Sequence, residues 1–411
     1  MEYISIGHNK LEHIKIDLYT FVKVIKSTGI AVRDWLFNRC VTIRSISKNE
    51  DKKIIVGFVA GTKTGIAGSS KILFEAMKDD PKFSPYWIYQ DIKGKANFSN
   101  DINAYYRRSF SKIGLFLKTN IWITTHGDFG VPIDYKIHKQ KRMELWHGIP
   151  FKGFLKENRK RISEDFNKAS TVVITSKFFR DVFSKEWNVK EGILKDLGQP
   201  RTDALINKTL SKEKVKERLS INQEKVILYA PTHQQDDDEV KELFPWKSDE
   251  TFEKLLELMK DDTALIIRPH PYWKENISKF IQNKINTDKR IYYLPATVVN
   301  CAEDLIYVSD ALITDWSSIY FDFLLMGKPT LFIDSPNPFK DNFLMKPHER
   351  IGYLCSDSNE LSLNIDEAIN DTEKYHSKYD EKLDLLKTKI YSNIDGRSTE
   401  RCLNDIVRLV K

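Results

Sequence analysis

Cysteine is scarce in this chain of 411 residues and is scattered. Cys40, Cys301, Cys355 and Cys402 never form a Cys-x-x-Cys pair, so neither a zinc site nor a disulfide framework is indicated, and a reducing compartment is favoured. The longest uncharged run, Ile291 to Ala302, is too short to span a bilayer. The first ten residues also lack the basic and apolar regions of a signal peptide. Any membrane contact is therefore expected to be peripheral.

A P-loop, internal repeats and low-complexity segments are also absent. The glycine-rich stretch Gly61 to Lys71 follows the apolar strand Ile54 to Val59, but it does not contain the pattern G-x-x-x-x-G-K-[S/T]. A strand, a glycine-rich loop and a helix in this order are typical of the first unit of a nucleotide-binding α/β domain. The acidic run Asp236 to Glu239 does not have the ligand spacing of an EF-hand. We predict neither a metal site nor a cofactor.

The composition favours an α/β protein with two cores. A chain of this length exceeds one ordinary domain, and 41% hydrophobic and 12% aromatic residues can fill two interiors. The net charge of +7 is compatible with an anionic substrate, an anionic lipid surface or nucleic acid. A lysine-rich composition without functional meaning explains the charge equally well.

The predicted boundaries divide the chain into four parts. Residues 1–53 form a basic, amphipathic segment that we expect to lie on an anionic membrane surface or, alternatively, to pack as an ordinary helix on the first domain. Residues 54–207 and 225–385 form two α/β domains of comparable size, and residues 386–411 form a helical tail.

The stretch from Tyr307 to Asp334 predicts the organising unit of the second domain. Its pattern is a buried strand at Ala311–Thr314, a polar loop at Asp315–Ser318, a helix from Ile319 to Met326 and a second buried strand at Thr330–Ile333. A strand, helix and strand in so short a segment indicate one βαβ unit of a parallel sheet. The polar loop then lies where open α/β sheets bind ligands, beside a helix start that favours phosphate.

Four polar loops are predicted to follow strands in the two domains. Each has a plain structural explanation when taken alone, namely a packed histidine, a rigid turn or a helix cap. Their joint position at the ends of successive strands predicts a cleft that holds a diphosphate, because arginine, histidine and hydroxyl groups all bind phosphate oxygens. The loops are Trp146-His147-Gly148, Pro231-Thr232-His233, Arg268-Pro269-His270-Pro271 and Asp315-Trp316-Ser317-Ser318.

Five motifs in order resemble the CDP-glycerol glycerophosphotransferase family of teichoic acid and capsule synthesis. The resemblance runs from about Ile54 to the low 360s. The motifs are Leu145-Trp146-His147-Gly148-Ile149-Pro150, Gly198-Gln199-Pro200-Arg201-Thr202-Asp203, Ala230-Pro231-Thr232, Arg268-Pro269-His270-Pro271, and Ser309 to Ser318 with Asp322.

The resemblance implies a GT-B-like fold, in which two Rossmann-like domains face a cleft. The first domain would bind the acceptor and the second the nucleotide donor. The implied reaction transfers glycerol phosphate from CDP-glycerol to a hydroxyl group of a lipid-linked polyol-phosphate acceptor and releases CMP. The implied location is the cytoplasmic face of the plasma membrane. The expected partners include an anionic membrane surface, and nucleic acid is not expected as a partner.

The resemblance also assigns roles to residues. His147 would be the general base, and His270 would be the second catalytic residue. Histidine suits the first role because its unperturbed pKa lies near neutrality. The implied substrate-binding residues are Trp146, Gly148, Pro150, Arg201, Pro231, Thr232, Arg268, Thr314, Asp315, Ser317, Ser318 and Asp322.

Three departures from the family pattern leave the polyol open. Ile149 stands where the family usually has threonine, Trp316 replaces a common tyrosine, and His233 follows Pro-Thr where an aromatic residue is expected. A CDP-ribitol-dependent transferase is therefore an alternative. A GT-B glycosyltransferase that uses a nucleotide sugar is another, because the fold permits it. A non-enzymatic binder of anionic polymers is the third.

Overall fold

Two parallel β-sheets with flanking helices form the framework of the protein. The computed structural model describes residues 53–59, 66–90, 102–151, 156–232, 243–244, 246, 248–269, 277–335 and 344–411. The predicted N-terminal segment 1–53, apart from its last residue, lies outside the described residues, and so do His233 and His270.

The first sheet has seven parallel strands in the order β3-β2-β1-β4-β5-β6-β7. Chain order reverses direction at β1, which pairs with both β2 and β4, as in doubly wound nucleotide-binding folds. The strands are β1 (Ile54–Val59), β2 (Phe83–Tyr89), β3 (Ala104–Tyr106), β4 (Ile121–Thr124), β5 (Lys141–Glu144), β6 (Thr171–Ile174) and β7 (Leu194–Asp196).

The second sheet repeats this winding with six parallel strands in the order β10-β9-β8-β11-β12-β13. Its central strands are buried along their whole length, which explains why they consist of continuous apolar runs. The strands are β8 (Lys225–Tyr229), β9 (Thr263–Ile267), β10 (Ile291–Tyr293), β11 (Ala311–Thr314), β12 (Thr330–Ile333) and β13 (Tyr353–Cys355).

Helices connect the strands and cover both sheets. Serine side chains cap three of them in the expected way: Ser176, Ser211 and Ser278 accept the N–H groups of Phe179, Lys214 and Ile281. The described helices are α1 (Gly68–Lys78), α2 (Ile113–Lys118), α3 (Lys156–Phe166), α4 (Lys177–Asp181), α5 (Asp203–Ile206), α6 (Lys212–Arg218), α7 (Ser248–Leu258), α8 (Lys279–Thr287), α9 (Ala302–Val308), α10 (Ile319–Leu324), α11 (Ser358–Asn370), α12 (Thr372–Ile390) and α13 (Ser398–Val410).

The predicted α/β class with two Rossmann-like sheets is confirmed. The βαβ unit from Tyr307 to Asp334 is present as β11, α10 and β12, although the helix ends at Leu324 rather than Met326. Three strands, β3, β7 and β13, were not predicted, because a run of three residues is too short to show a strand pattern.

The last helix, α13, returns to the first sheet. Its buried Cys402 and Ile406 belong to the same apolar cluster as Val56 and Phe58 of β1. No side chain within α13 caps its amino end; instead the buried Asp203 accepts the backbone N–H groups of Ser398 and Thr399, at 3.0 and 2.7 Å. The chain thus crosses from the first sheet to the second and back. Among the described helices, none is both long and apolar enough to cross a membrane.

The cap supplied by Asp203 yields a prediction about stability. We expect Asp203→Ala to lower the free energy of unfolding by about 1–2 kcal/mol, because two buried amide groups lose their acceptor. Asp203→Asn retains one acceptor oxygen, and its loss should be smaller. Urea denaturation followed by circular dichroism measures both. An unchanged denaturation midpoint in Asp203→Ala would contradict the role of this cap.

Candidate active site

Most of the predicted site residues that the structure describes lie in loops near the points where the winding of each sheet reverses. In the first sheet this point lies between β1 and β4, and in the second it lies between β8 and β11. Crevices outside the carboxyl ends of the strands at such points are the ligand sites of open α/β sheets. The loops after β4 and β5 therefore face this region from the first sheet, and the loops after β8, β9 and β11 from the second.

The loops after β8 and β11 are joined by hydrogen bonds. The Asp315 carboxylate accepts the backbone N–H of Thr232 at 2.8 Å and that of Trp316 at 2.6 Å, and the Thr232 hydroxyl accepts the Trp316 N–H at 3.2 Å. The Thr314 hydroxyl donates to the carbonyl of Ala230 at 2.7 Å. Thr232, Thr314 and Asp315 therefore lie together. Their hydrogen bonds join the two loops to each other, and any contact of these side chains with a donor stays a prediction. Pro231 lies buried in the same loop.

Arg268 lies at the end of β9, nearly buried. Its guanidinium donates to the carbonyl of Leu294, at 3.0 Å, and to that of Val299. Burial lowers its pKa to about 10, partly offset by Glu303 and Cys301. At neutral pH the side chain is still a cation, and within the described residues it forms no ion pair with a carboxylate. A buried cation of this kind favours an anionic ligand.

The candidate base, His147, follows a residue with unusual backbone geometry. Trp146 has φ of +59° although it is not glycine, a conformation that costs free energy and is concentrated at functional sites. Its indole is buried against Phe166, while His147 is exposed. The Nδ1 atom of His147 lies 3.3 Å from the carbonyl oxygen of Thr125. Because a carbonyl only accepts, Nδ1 carries the proton in the neutral ring and the lone pair lies on Nε2.

Glu144, at the end of β5, holds the backbone of the loop that carries His147. Its fully buried carboxylate accepts the backbone N–H groups of Trp146 at 3.1 Å and Gly127 at 3.0 Å, and the hydroxyl of Thr124 at 2.6 Å. The guanidinium of Arg142 lies 3.7 Å away. Burial raises the pKa of Glu144, while the charge of Arg142 and these hydrogen bonds act in the opposite direction. The network holds the loops after β4 and β5 in one arrangement.

A second histidine accompanies the candidate base. The His126 and His147 rings are stacked, with centroids 4.5 Å apart and planes within 9° of parallel. The sequence offered no sign of this pair, because the two residues lie on different strand-end loops. Their contact depends on the parallel pairing of β4 with β5.

Arg201 joins the two halves of the site. Its buried guanidinium donates to the carbonyl of His147 at 2.9 Å and to the carboxylate of Asp322 on α10 at 3.2 Å. Its Nε atom lies 3.9 Å from Glu303 of α9. Arg201 therefore contacts the loop that carries the candidate base and two helices of the second half. Arg201 and Asp322 are therefore in direct contact. Their part in donor binding stays a prediction.

Because Gly148 has no side chain, its loop can lie close to Ser318 on the opposite side of the cleft. A Cβ atom at this position would lie 3.4 Å from the Ser318 hydroxyl oxygen and 3.8 Å from Nη2 of Arg201. Ser318 is exposed at the start of α10, and its side chain does not cap that helix. Ser317 and Pro150 are half-buried on the two facing loops.

Arg350 is a site residue that sequence reasoning missed. Its guanidinium stacks 3.8 Å from the Trp316 ring centroid and donates to the carbonyl of Asp315 at 3.2 Å. Burial lowers its pKa, with Asp334 and Asp315 acting in the opposite direction. No motif surrounds it, and only tertiary structure brings it to the end of β11.

Within the described residues, no group of three His, Cys, Asp or Glu side chains could hold a metal ion.

Comparison with known proteins identifies the family. The sequence pattern of the CDP-Glycerol:Poly(glycerophosphate) glycerophosphotransferase family matches residues 40–408. The chain belongs to this family. The resemblance drawn from the five motifs is thereby confirmed, and the match extends beyond both ends of the segment on which it was based.

Individual glycerophosphotransferase relatives agree with this assignment. The chain is 27% identical over 260 residues to the teichoic acid glycerol-phosphate primase of Bacillus subtilis, which covers 62% of each protein. It is 24% identical over 393 residues to the teichoic acid poly(ribitol-phosphate) polymerase of Bacillus spizizenii, which covers 90% of this chain and 59% of that protein. The chain thus spans about three fifths of the length of these two relatives.

A solved structure shares the fold. The wall teichoic acid polymerase TagF superimposes with a TM-score of 0.73 at 19% identity, over 96% of this chain and 98% of that one. At this level of identity the likeness concerns the fold, and it agrees with the predicted GT-B-like architecture.

The buried pair of Arg201 and Asp322 yields a pH-dependent prediction. Burial raises the pKa of Asp322, and Arg201 opposes this rise. In Arg201→Met the folded-state pKa should climb further above the unfolded value of about 3.9. The folded state would then bind a proton that the unfolded state releases. The variant should lose about 3–5 kcal/mol of stability at pH 8 and recover part of it at pH 5.

The matched control for this prediction removes both charges. Arg201→Met combined with Asp322→Leu removes the carboxylate that the guanidinium binds and leaves only the more distant Glu303, so its stability relative to the original protein should change less between the two pH values than that of Arg201→Met. Urea denaturation at pH 5 and pH 8 measures all three proteins. A deficit of Arg201→Met that is equal at both pH values would show that Asp322 is not the titrating group.

Proposed function

We propose that this protein transfers glycerol phosphate from CDP-glycerol to a hydroxyl group of a polyol-phosphate acceptor and releases CMP. The first half, residues 54–207, binds the acceptor, and the second half, residues 225–385, binds the nucleotide donor. The acceptor is a lipid-linked precursor of teichoic acid or of a capsule polymer. Membership of the glycerophosphotransferase family supports the class of reaction.

The contact made by Arg201 carries this proposal. One guanidinium binds the carbonyl of His147 and the carboxylate of Asp322, so the loop with the candidate base lies against the helix that begins after Ser318. A hydroxyl that approaches His147 then lies close to a diphosphate held by the second half. Such placement of two reactants is the main contribution that proteins make to phosphoryl transfer.

The proposed step is a single displacement at phosphorus. Nε2 of His147 takes the proton from the acceptor hydroxyl as its oxygen attacks the β-phosphorus of the donor. The bond from that phosphorus to the bridging oxygen breaks, and CMP leaves with the electron pair. The hydrogen bond from Nδ1 to the Thr125 carbonyl favours the tautomer in which Nε2 carries the lone pair and can act as the base.

The donor phosphates would be bound by groups at the strand ends of the second sheet. Arg268 supplies a buried positive charge, and Ser317 and Ser318 supply hydroxyl groups. His270, two residues after Arg268, is proposed as the second catalytic residue. Arg350 lies against Trp316 in the same part of the sheet and adds a cation that the motifs did not indicate.

The ribitol alternative has support of its own. A poly(ribitol-phosphate) polymerase aligns with 90% of this chain, a larger share than the glycerol-phosphate primase covers. Glycerol and ribitol donors share the CDP group and the attacked phosphorus, so the residues described above suit either one. A direct comparison of the two donors decides between them.

We also propose that the first half touches an anionic membrane. Ile137 is 72% exposed, and the lysines at positions 136, 139 and 141 near it are exposed as well. An exposed apolar side chain among cations suits the interface of an anionic bilayer, where each cation contributes about 1 kcal/mol. A membrane contact here would bring a lipid-linked acceptor to the half that carries His147.

Release of CMP from CDP-glycerol and from CDP-ribitol, measured in parallel with a polyol-phosphate acceptor, tests the reaction. We expect release from CDP-glycerol and a loss of about 100-fold or more in kcat with His147→Ala, because general base catalysis contributes about 10²–10⁴-fold. Release from CDP-ribitol alone would establish the alternative donor. If neither donor releases CMP, nucleotide sugars and then polymer binding without turnover become the next hypotheses to test.

Binding to phosphatidylglycerol vesicles tests the membrane contact. Replacement of Lys136, Lys139 and Lys141 by Glu should weaken binding by tenfold or more, because three attractive charges become repulsive. The control replaces Lys374, Lys378 and Lys382, exposed on α12 of the second half, in the same way. Equal weakening by both triple variants would show that net charge, and not this surface, governs binding.

A further inference from the structure

A cavity of about 460 Å³ lies beside His147, the candidate base. One wall is the loop after β4, with His126 and Phe129, and the opposite wall is α3, with Arg161. Trp146 and His147 close the end between them. The described donor-side residues of the second half take no part in the lining. The lining of the cavity therefore belongs to the first half alone and includes the candidate base, His147.

The charges in this cavity are unevenly compensated. Asp128 lies 3.3 Å from Lys168, and the Asp165 carboxylate is bound by the guanidinium of Arg142 at 3.1 Å. Both carboxylates are thereby neutralised. Asp165 already accepts from the guanidinium of Arg142 and from the backbone N–H of Asp128, whereas Asp128 can still accept a further hydrogen bond from a hydroxyl group. Arg161 is exposed on α3 and presents a cation to the same space.

This combination of groups suits a polyol phosphate better than a purely anionic or a purely apolar ligand. Carboxylate oxygens accept from hydroxyl groups, His126 can donate or accept, and a guanidinium binds phosphate through two N–H groups. The indole of Trp146 and the exposed ring of Phe129 offer apolar surfaces for carbon chains. The volume falls within the range of about 300–1,000 Å³ that is typical of small-molecule sites.

We infer that this cavity is the acceptor subsite, and that Arg161 binds the phosphodiester next to the terminal hydroxyl group that His147 deprotonates. The inference rests on the proposed function. It adds the place where the acceptor lies, the side chain that recognises its phosphate, and the reason why an acceptor with a phosphate is preferred over a free polyol. Phosphate in the cavity leaves the terminal hydroxyl beside Nε2 of His147.

Acceptor kinetics of Arg161→Gln test the inference. The KM for a short poly(glycerol phosphate) acceptor should rise by about tenfold, the usual effect of losing one charge-assisted hydrogen bond, while kcat and the KM for the donor stay unchanged. Free glycerol used as the acceptor should react equally well with the variant and with the original protein. Arg161→Lys should recover part of the loss, because it keeps the charge but not the paired N–H groups.

Lys160→Gln is the matched control. Lys160 precedes Arg161 on the same helix, is 82% exposed and does not line the cavity; it lies 4.0 Å from the exposed Glu164 of the lining, a surface contact that contributes little. It should behave as the original protein does. An acceptor KM that is unchanged in Arg161→Gln would overturn the inference, and so would equal losses with free glycerol and with poly(glycerol phosphate).

Calorimetric titration with the same poly(glycerol phosphate), in the absence of donor, separates this inference from the proposed reaction. Binding to the original protein that weakens about tenfold in Arg161→Gln, but not in Lys160→Gln, supports the subsite even if no donor releases CMP. Equal binding by all three proteins, together with CMP release by the original protein, would contradict the subsite and leave the proposed reaction intact.

Discussion

A single buried guanidinium, that of Arg201, couples the two halves of the candidate site. Taking a cation out of water is costly, and the cost is offset only while its partners remain in place. Its partners are the carbonyl of His147 on one side and the carboxylate of Asp322 on the other. The requirement to satisfy one charge therefore fixes the position of the candidate base relative to the second half, although no covalent link joins these elements directly.

Within each half, a buried charged side chain likewise holds neighbouring loops together. Glu144 in the first half and Asp315 in the second each accept backbone N–H groups from two neighbouring strand-end loops. In both cases a buried carboxylate replaces the hydrogen bonds that the loops lose where the sheet ends. Loops of this kind are held by their backbones, so the exposed side chains they carry, such as those of His147 and Ser318, can bind a ligand.

The sequence predicted the features that depend on local pattern. The buried strands β11 and β12 are continuous apolar runs, and the helix between them begins where capping residues stand. It did not predict β3, β7 and β13, where three residues carry too little pattern. It also missed Arg350 and His126, because their positions in the site arise from contacts between distant segments. The family motifs indicated Arg201 and Asp322 as site residues, but not that one binds the other.

The return of α13 to the first sheet has a mechanical consequence. The chain passes between the halves twice, once after α5 and once between α12 and α13, where the N–H of Ser392 donates to the carbonyl of Thr175 at 2.8 Å. Two crossings act as a pair of pivots. Rotation about the line that joins them can widen the cleft without stretching either crossing, whereas sliding of one half past the other is restrained. The covalent path of the chain thus restrains sliding of the two halves more than rotation about this line.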